Sequence, residues 1–279
     1  MYETREFWKK TIFEYASPYN IIEQRPTYVF IHNKRTNKMS ISYLNFENDQ
    51  QFLDELKELK QYGLDNDCKS LGITVCNRDP YFIDKSSLEQ LGVKPVTELA
   101  LLGLEVSQEV LDKLNERHIS NDYTLKEIEF DVVLENKEIH KLLFNHFPSQ
   151  LFESIENTPR VLQNWHESTS EHSQKYFIVE YINSQTNEIQ IVGLSKYIHF
   201  LKGVKKEMMY LAIAVTDKNH RGNGLYKALL AIRMKYALIE GAKFCYTDSD
   251  VSTSYPILRK MGMEEIYRQF LYVLNYKES

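Results

Sequence analysis

The chain has 279 residues, close to the upper limit for one hydrophobic core, so one large domain or two smaller domains both fit. Hydrophobic residues make up 43% and charged residues 26%, which excludes a largely disordered chain. The net charge of −5 removes the main electrostatic reason to expect nucleic-acid binding. No apolar run approaches the roughly 20 residues of a membrane span, and the first residues do not read as a signal peptide. We therefore expect a cytoplasmic protein that binds neither membranes nor nucleic acid.

The three cysteines are odd in number and too widely spaced for a CxxC motif, so neither a disulfide scaffold nor a cysteine zinc site is indicated. Cys245 falls in a predicted buried strand and is expected in the core. His166 and His172 lie in a segment predicted as a polar loop, without the spacing of metal ligands, so we predict no metal site. His220 is expected to be a surface residue.

The first half of the chain predicts an αβ unit that begins with a β-hairpin. A turn at residues 36–38 separates the first two strands. Asn48 or Asp49 can cap the first helix, and Gly63 is predicted to end it. The predicted order is strand, strand, helix, strand, helix, strand, at residues 27–31, 39–44, 49–63, 71–76, 84–91 and 96–106.

A second αβ unit follows a polar connector at residues 107–123, which places the predicted domains at 1–119 and 120–279. Hairpins are antiparallel, whereas strands joined by crossover helices are parallel, so the fold class is α/β with a mixed sheet. Asn136 is predicted to cap one helix, Pro148 to end it, and Thr158 to open the next. The predicted strands are 125–134, 176–182, 188–198, 208–216, 243–247 and 266–274, and the later helices are 225–240 and 254–261.

The most informative segment joins the strand that ends near Thr216 to the following helix. Two glycines one residue apart, Gly222 and Gly224, let backbone N–H groups approach a ligand closely. They precede a helix N-terminus, whose free N–H groups and positive dipole end favour phosphate. An ordinary glycine-rich turn is the alternative reading. Three cations lie in the same segment: Lys218, Arg221 and Lys227.

The segment is neither of two common phosphate-binding motifs. It lacks the GxxxxGK[ST] spacing of the P-loop. It also lacks the third glycine of the dinucleotide fingerprint, and a hairpin precedes it. Both motifs are therefore excluded.

The six residues from Arg221 to Tyr226 match Gln/Arg-x-x-Gly-x-Gly/Ala, the pyrophosphate loop of the GNAT (GCN5-related N-acetyltransferase) superfamily, except that Tyr226 replaces a small residue. The stretch from Leu258 to Met263 resembles a second family segment, and the element order from residue 125 also agrees. The resemblance covers about 155 residues. It implies a GNAT fold, acetyl-CoA as cofactor and donor, and a small-molecule or peptide amine as acceptor. The implied cofactor contacts are Ala214, Val215, Thr216, Arg221, Gly222, Asn223, Gly224, Leu225, Tyr226 and Lys227.

The first half resembles a decayed copy of the same fold, which makes the protein a tandem GNAT. Its hairpin, helices and Leu91-Gly92-Val93 segment fit, but the loop position, residues 45–49, contains two acids and no glycine. We expect no cofactor there; an unrelated αβ domain is the alternative. The second half offers only one strand after Gly262 where the fold usually has two, so we expect the first half to complete or flank that sheet edge.

Two residues are predicted to carry the chemistry. The attacking amine must be neutral, so a base is needed; Glu207, at the start of the strand that leads to the loop, is the first candidate, and Asp248 and Asp250 are the second. Family members often use a tyrosine to protonate the thiolate, but the matching position is Leu258. Tyr255, almost one helical turn earlier, is the candidate acid.

Two other functions stay open at this level. A chain without acid and base would be a catalytically weak CoA-binding sensor or interaction module on the same fold. A carrier other than coenzyme A would make it an acyl or aminoacyl transferase. Exposed edges of aromatic-rich strands also make a homodimer plausible.

Overall fold

A computed structural model of the chain describes residues 4–14, 19–81, 83, 85–115, 119–147, 154–169 and 171–276. The chain divides into two compact units: residues 1–102 with 248–279, and residues 103–247. The predicted domains, 1–119 and 120–279, have different limits from these two units, and they stay a prediction.

The helices and strands alternate along the whole described chain. The strands are β1 (Asn20–Gln24), β2 (Val29–Asn33), β3 (Lys38–Ser42), β4 (Ser70–Cys76), β5 (Lys94–Glu105), β6 (Tyr123–Ile128), β7 (Ser173–Ile182), β8 (Ile189–His199), β9 (Met208–Thr216), β10 (Phe244–Asp250) and β11 (Glu264–Asn275). The helices are α1 (Arg5–Glu14), α2 (Asp49–Asp65), α3 (Lys85–Gln90), α4 (Gln108–Asn115), α5 (Phe130–Glu135), α6 (Lys137–His146), α7 (Thr158–Ser168), α8 (Leu225–Ile239) and α9 (Tyr255–Lys260).

The first unit contains strands from both ends of the chain, in the order β1-β2-β3-β4-β11-β5. The β2–β3 hairpin is antiparallel, and α2 crosses over to make β3 and β4 parallel. The C-terminal strand β11 runs antiparallel to β4, from the pair Gln269–Cys76 to the pair Asn275–Ser70. The last strand of the chain is therefore held by one of the N-terminal strands.

Gly63 does not end α2 as predicted, because the helix continues to Asp65. Gly63 is buried, and a Cβ there would lie 2.5 Å from the Tyr276 ring. The glycine thus lets the helix pack closely against this aromatic ring. The predicted cap is confirmed: the Asn48 side chain accepts a hydrogen bond from the Gln51 N–H at 3.0 Å.

The second unit has the strand order β10-β9-β8-β7-β6. The β9–β10 pair, joined by α8, is parallel, and the other pairs are antiparallel. Apolar residues of α5, α6 and α7 form one core with Tyr176, Leu194 and Ile213 on one sheet face. Neighbouring strand residues point to the opposite face, where Phe177 and Tyr197 contact Tyr236 of α8.

Most predicted elements are confirmed within a few residues, and the errors have identifiable causes. The predicted strand 125–134 is wrong in its second half, which forms α5; the spacing of Phe130, Val133 and Leu134 suits one helical face. The sequence reading missed α1 and the half-buried edge strand β1, since neither has strong periodicity. Pro148, the predicted helix end, lies outside the described residues.

Candidate functional site

A short 3-10 turn, residues Lys218–His220, leads from β9 into the predicted loop. The Asp217 carboxylate accepts a hydrogen bond from the Asn219 N–H at 2.8 Å and fixes the turn. The His220 ring packs against Tyr123 and Tyr181 of the two neighbouring strands, and His220 Nδ1 lies 3.2 Å from the Tyr123 hydroxyl. His220 is therefore a packed anchor of the loop, which the sequence did not indicate because its partners are distant in the chain.

Both loop glycines adopt the left-handed backbone conformation that the motif requires. Gly222 has φ 85° and Gly224 has φ 77°, and a Cβ at either position would meet nothing within 4 Å. The two glycines are therefore needed for their backbone geometry and not for close packing. Asn223 supports the loop from within, since its side chain donates to the His220 carbonyl at 3.1 Å.

The N-terminus of α8 has no side-chain cap. Gly224 stands at the cap position, and the helix begins its hydrogen bonding with Ala228 N–H to the Gly224 carbonyl at 3.0 Å. The N–H groups at the helix start therefore have no carbonyl partner within the helix. The first turn contains no acidic residue. Three cations border it without forming an ion pair in the described part of the chain: Lys218, Arg221 and Lys227.

The last residues of β9 present backbone groups beside this helix start. Asp217 N–H donates to the Val192 carbonyl at 2.8 Å, and this bond sets the alternation of the β8–β9 ladder. The backbone of Val215 therefore bonds to β8, whereas Ala214 and Thr216 direct their backbone groups to the other side. Within the second unit, the β9–β10 ladder ends at the pair Tyr210–Tyr246, before these residues.

Strand β9 also contains a β-bulge just beyond that last pair. Tyr210 opposes Ile198 and Ile213 opposes Lys196, so two residues of β9 face the single residue between them on β8. The two bulge residues on β9 are Leu211 and Ala212. Bulges interrupt regular pairing and redirect backbone groups, and they occur often beside active sites.

Two buried hydroxyl groups on the β8–β9 pair have no hydrogen-bond partner among the described residues: Thr216 Oγ1 and the Oγ of Ser195, which pairs with Ala214. An unsatisfied buried hydroxyl is costly, so each is suited to a polar ligand group. Together with the open glycine loop, these groups fit coenzyme A, whose pyrophosphate matches the helix start and whose amides match the exposed strand edge.

A fully buried arginine lies on α8, two helical turns after Tyr226. Arg233 of α8 is only 1% exposed; its Nε donates to the Leu229 carbonyl at 2.9 Å and its Nη1 to the Ile213 carbonyl at 3.3 Å. Burial lowers its pKa, while the nearby Tyr226 hydroxyl opposes that change. Arg233 forms no ion pair with a carboxylate in the described part of the chain. Tyr226, the residue that departs from the family pattern, is partly buried two helical turns away on the same face.

A second buried cation lies beside the bulge. Lys196 of β8 is 1% exposed, and its Nζ lies 5.1 Å from the centre of the Tyr176 ring. Burial lowers its pKa to about 7. The sequence reading missed both Arg233 and Lys196, since a charged residue among apolar neighbours reads as solvent-facing until the packing is known.

The predicted catalytic residues belong to different units. The Glu207 carboxylate, in the second unit, pairs with Lys243 at 2.7 Å, and this bond lowers its pKa. Tyr255 is in the first unit, where its hydroxyl donates to Glu265 at 2.7 Å and accepts from Arg268 at 3.3 Å. Asp250 accepts a hydrogen bond from the Thr97 hydroxyl at 2.9 Å, also in the first unit. The alternative base Asp248 is exposed there.

The other residues considered in the sequence analysis are a cysteine and two histidines that pack within the fold. Cys245 is confirmed as a core residue, and burial raises its pKa to about 12. His166 is in α7, not in a loop as predicted, while His172 precedes β7 and packs on Phe200. Among the described residues, no three of His, Cys, Asp and Glu cluster closely enough to hold a metal ion. None of the described helices is both long and apolar enough to cross a membrane.

Comparison with known proteins identifies the fold through structure alone. No family model matches the sequence, and no curated protein matches it. Solved structures match over nearly the whole chain at low identity. A tandem GNAT protein from the clavulanic acid biosynthesis pathway has a TM-score of 0.62 at 11% identity, over 99% of this chain and 89% of that one.

Two further structures match over similar spans. A conserved protein of unknown function from Staphylococcus epidermidis has a TM-score of 0.68 at 13% identity, over 95% of this chain and 97% of that one. A GCN5-related N-acetyltransferase from Kribbella flavida has a TM-score of 0.56 at 11% identity, over 96% and 93%. The fold predicted from the loop and the element order is thereby confirmed: the chain has the tandem GNAT fold.

Proposed function

We propose that the chain is an N-acetyltransferase that uses acetyl-CoA to acetylate a primary amine. The observation that carries this proposal is the uncapped N-terminus of α8 behind two left-handed glycines, Gly222 and Gly224. An open, positive helix start suits a pyrophosphate, and three cations without an ion pair among the described residues lie next to it. Its position at the end of the bulged strand β9, in a tandem GNAT fold, supports coenzyme A as the cofactor.

Different residues are proposed to bind the different parts of the cofactor. The N–H groups of Leu225, Tyr226 and Lys227 would bind the pyrophosphate, with Arg221 adding charge at the loop. Backbone groups of Ala214 and Thr216 would bind the pantetheine amides, and Val215 would position that edge by its bonds to β8. Bound acetyl-CoA would supply an activated thioester carbonyl.

The transfer needs a neutral amine and a stabilised thiolate. Glu207 is the proposed base, acting directly or through water, and Tyr255 is the proposed acid. Both are tested by removing one functional group. Tyr255→Phe should lower turnover and leave acetyl-CoA affinity unchanged, and Glu207→Gln should shift the pH profile of turnover. Unchanged turnover in either variant would remove that residue from the site.

The cofactor site is tested by calorimetric titration of the full chain with acetyl-CoA. We expect one site of micromolar affinity. Gly224→Asp should abolish it, because a carboxylate would face the pyrophosphate. Gly241→Asp is the matched control: Gly241 is also left-handed, at φ 75°, but lies at the other end of α8. Gly224→Asn separates charge from backbone strain, since asparagine tolerates this conformation.

A folded Gly224→Asp variant with unchanged affinity would contradict the loop assignment. Binding without transfer to any amine in a broad panel would contradict the transferase proposal and leave a cofactor-binding protein.

A further inference from the structure

A separate cavity of about 140 Å³ opens in the second unit, away from the loop. The end of β6, the start of α5, helix α7 and the start of β7 surround it. Its walls are three aromatic rings and several charged side chains. The residues that matter are Glu127, Glu129, Phe130, His166, Lys175 and Tyr176.

The three rings form one continuous aromatic wall. Phe130 and His166 stack in parallel, with ring centres 3.7 Å apart and planes 4° apart. Tyr176 lies 5.5 Å from Phe130 and 6.3 Å from His166, in both cases within 30° of parallel. The Tyr176 hydroxyl lies 3.5 Å from His166 Nδ1. Such a stack provides apolar area against which an organic body can pack.

The charges at the cavity leave one carboxylate unpaired. Glu127 is bound by Lys175 and by the Tyr236 hydroxyl. Glu129 precedes α5, is exposed, makes no capping hydrogen bond, and forms no ion pair among the described residues. The lining therefore carries two carboxylates against one ammonium group, and the surplus charge is negative.

His166 does not neutralise this excess negative charge near neutral pH. Burial lowers its pKa, and Lys196 behind Tyr176 lowers it further, whereas Asp131 and Glu167 raise it. The imidazole is therefore mostly neutral at pH 7. Lys196 itself is buried behind the Tyr176 ring, with its pKa lowered to about 7, so it carries only part of a positive charge there.

The cavity is distinct from the cofactor site. Tyr176 pairs with Lys196, and Lys196 pairs with Ile213 of β9. Two strand spacings, or about 10 Å, therefore separate the Tyr176 backbone from that of β9. A small ligand in the cavity does not contact the pyrophosphate loop.

We propose that this cavity is a second ligand site, which binds a primary arylalkylammonium ion. The ring of the ligand packs on the Phe130–His166–Tyr176 wall, and its ammonium group pairs with Glu129. The proposal goes beyond the proposed transferase function, because it needs neither coenzyme A nor acyl transfer.

The test is a calorimetric titration of the full chain, without cofactor, using tyramine as the probe. 4-Ethylphenol, which has the same ring but no amine, is the matched neutral ligand, and 4-hydroxyphenylacetate is the anionic one. We expect tyramine to bind at least tenfold more tightly than either. Glu129→Gln should weaken tyramine binding about fivefold to tenfold. Glu135→Gln, the same charge change at the other end of α5, should change it less than twofold.

Equal affinity for tyramine and 4-ethylphenol would overturn the proposal, as would absent tyramine binding in the millimolar range. Unchanged tyramine affinity in Glu129→Gln would also overturn it; that residue is exposed, so the variant should fold. Phe130→Leu is a second variant that should weaken tyramine binding without changing charge. A chain that binds acetyl-CoA but not tyramine would refute only this site, and the opposite result would refute only the cofactor site.

Discussion

The two units contain the same strand–helix–strand arrangement, but the helix start differs between them. In the first unit, β3 leads into α2 through residues 45–49. The Asn48 side chain accepts from the Gln51 N–H, and the Gln51 side chain accepts from the Glu47 N–H. In the second unit, β9 leads into α8 through a glycine loop without any such cap. One helix start satisfies its own N–H groups, and the other leaves them open.

The side chains around the start of α2 are also bound within the first unit. Asp49, in the first turn of α2, accepts a hydrogen bond from the Tyr81 hydroxyl, and Phe46 is buried against Phe52 and Tyr81. The first-unit junction is thus built into its own core. A helix end closed by its own side chains gains stability from the cap, whereas an open end gains it only from a ligand.

The interiors differ as well. Strand β2 of the first-unit hairpin buries Val29 and Phe30, and α2 buries Phe52 and Leu59. In the second unit, β8 buries Lys196 and α8 buries Arg233. Buried charges without carboxylate partners cost stability, and such costs concentrate at functional sites. The contrast therefore supports the proposal that the cofactor binds in the second unit.

The largest effect is expected from copying the closed junction into the open one. Gly222→Glu combined with Gly224→Asn adds an acid to the loop and gives α8 the residue type that caps α2, where Asn48 holds that position. Acetyl-CoA affinity should fall more than 100-fold, since the acid opposes the pyrophosphate, as measured by calorimetry. Gly241→Glu controls for the strain of a left-handed position. Retained acetyl-CoA affinity in the folded double variant would show that the open helix start does not determine cofactor binding.

Arg233→Met should weaken acetyl-CoA binding about tenfold. The arginine holds its positive charge in the low-dielectric interior, where a charge acts over a longer distance than in water. Arg233→Lys should recover part of the loss. The control is Lys235→Met, which removes an exposed charge from the same helix. Equal affinity in Arg233→Met and the parent chain would make Arg233 a purely structural link between α8 and β9.

Lys196 should make stability depend on pH. Its pKa is lowered to about 7 in the folded chain and is near 10.4 when unfolded, so the unfolded chain binds more protons between these values. The free energy of unfolding should therefore rise with pH from 7 to 9, by up to about 1.4 kcal/mol per pH unit. Lys196→Met should remove this slope, as measured by urea denaturation. If Lys196→Met shows the same dependence of unfolding free energy on pH as the parent chain, Lys196 is not the group whose pKa is lowered by burial.

The smallest effect is expected at the closed junction itself. Asn48→Ala should cost about 1 kcal/mol of unfolding free energy through loss of the cap, and Asn48→Gly only a few tenths. Acetyl-CoA affinity should not change in either variant. An affinity change in a folded Asn48 variant would show that the two junctions are not independent.

The sequence predicted the open junction well because its signals are local. Left-handed glycines, a helix start and nearby cations all lie within eleven residues. The element order was predictable for the same reason, since caps such as Asn48 and Asn136 and the hairpin turns act over a few positions. Where local signals were ambiguous, as at Phe130 in α5 and at Gly63 in α2, the prediction was wrong.

The sequence by itself therefore determined the fold class, the loop and the contrast between the two helix starts. Only the tertiary structure decided that β11 pairs with β4 and that His166 stacks on Phe130. It also decided that Arg233 and Lys196 are buried. These facts depend on which distant segments pack together, and packing joins residues far apart in the chain through contacts that short-range periodicity does not encode.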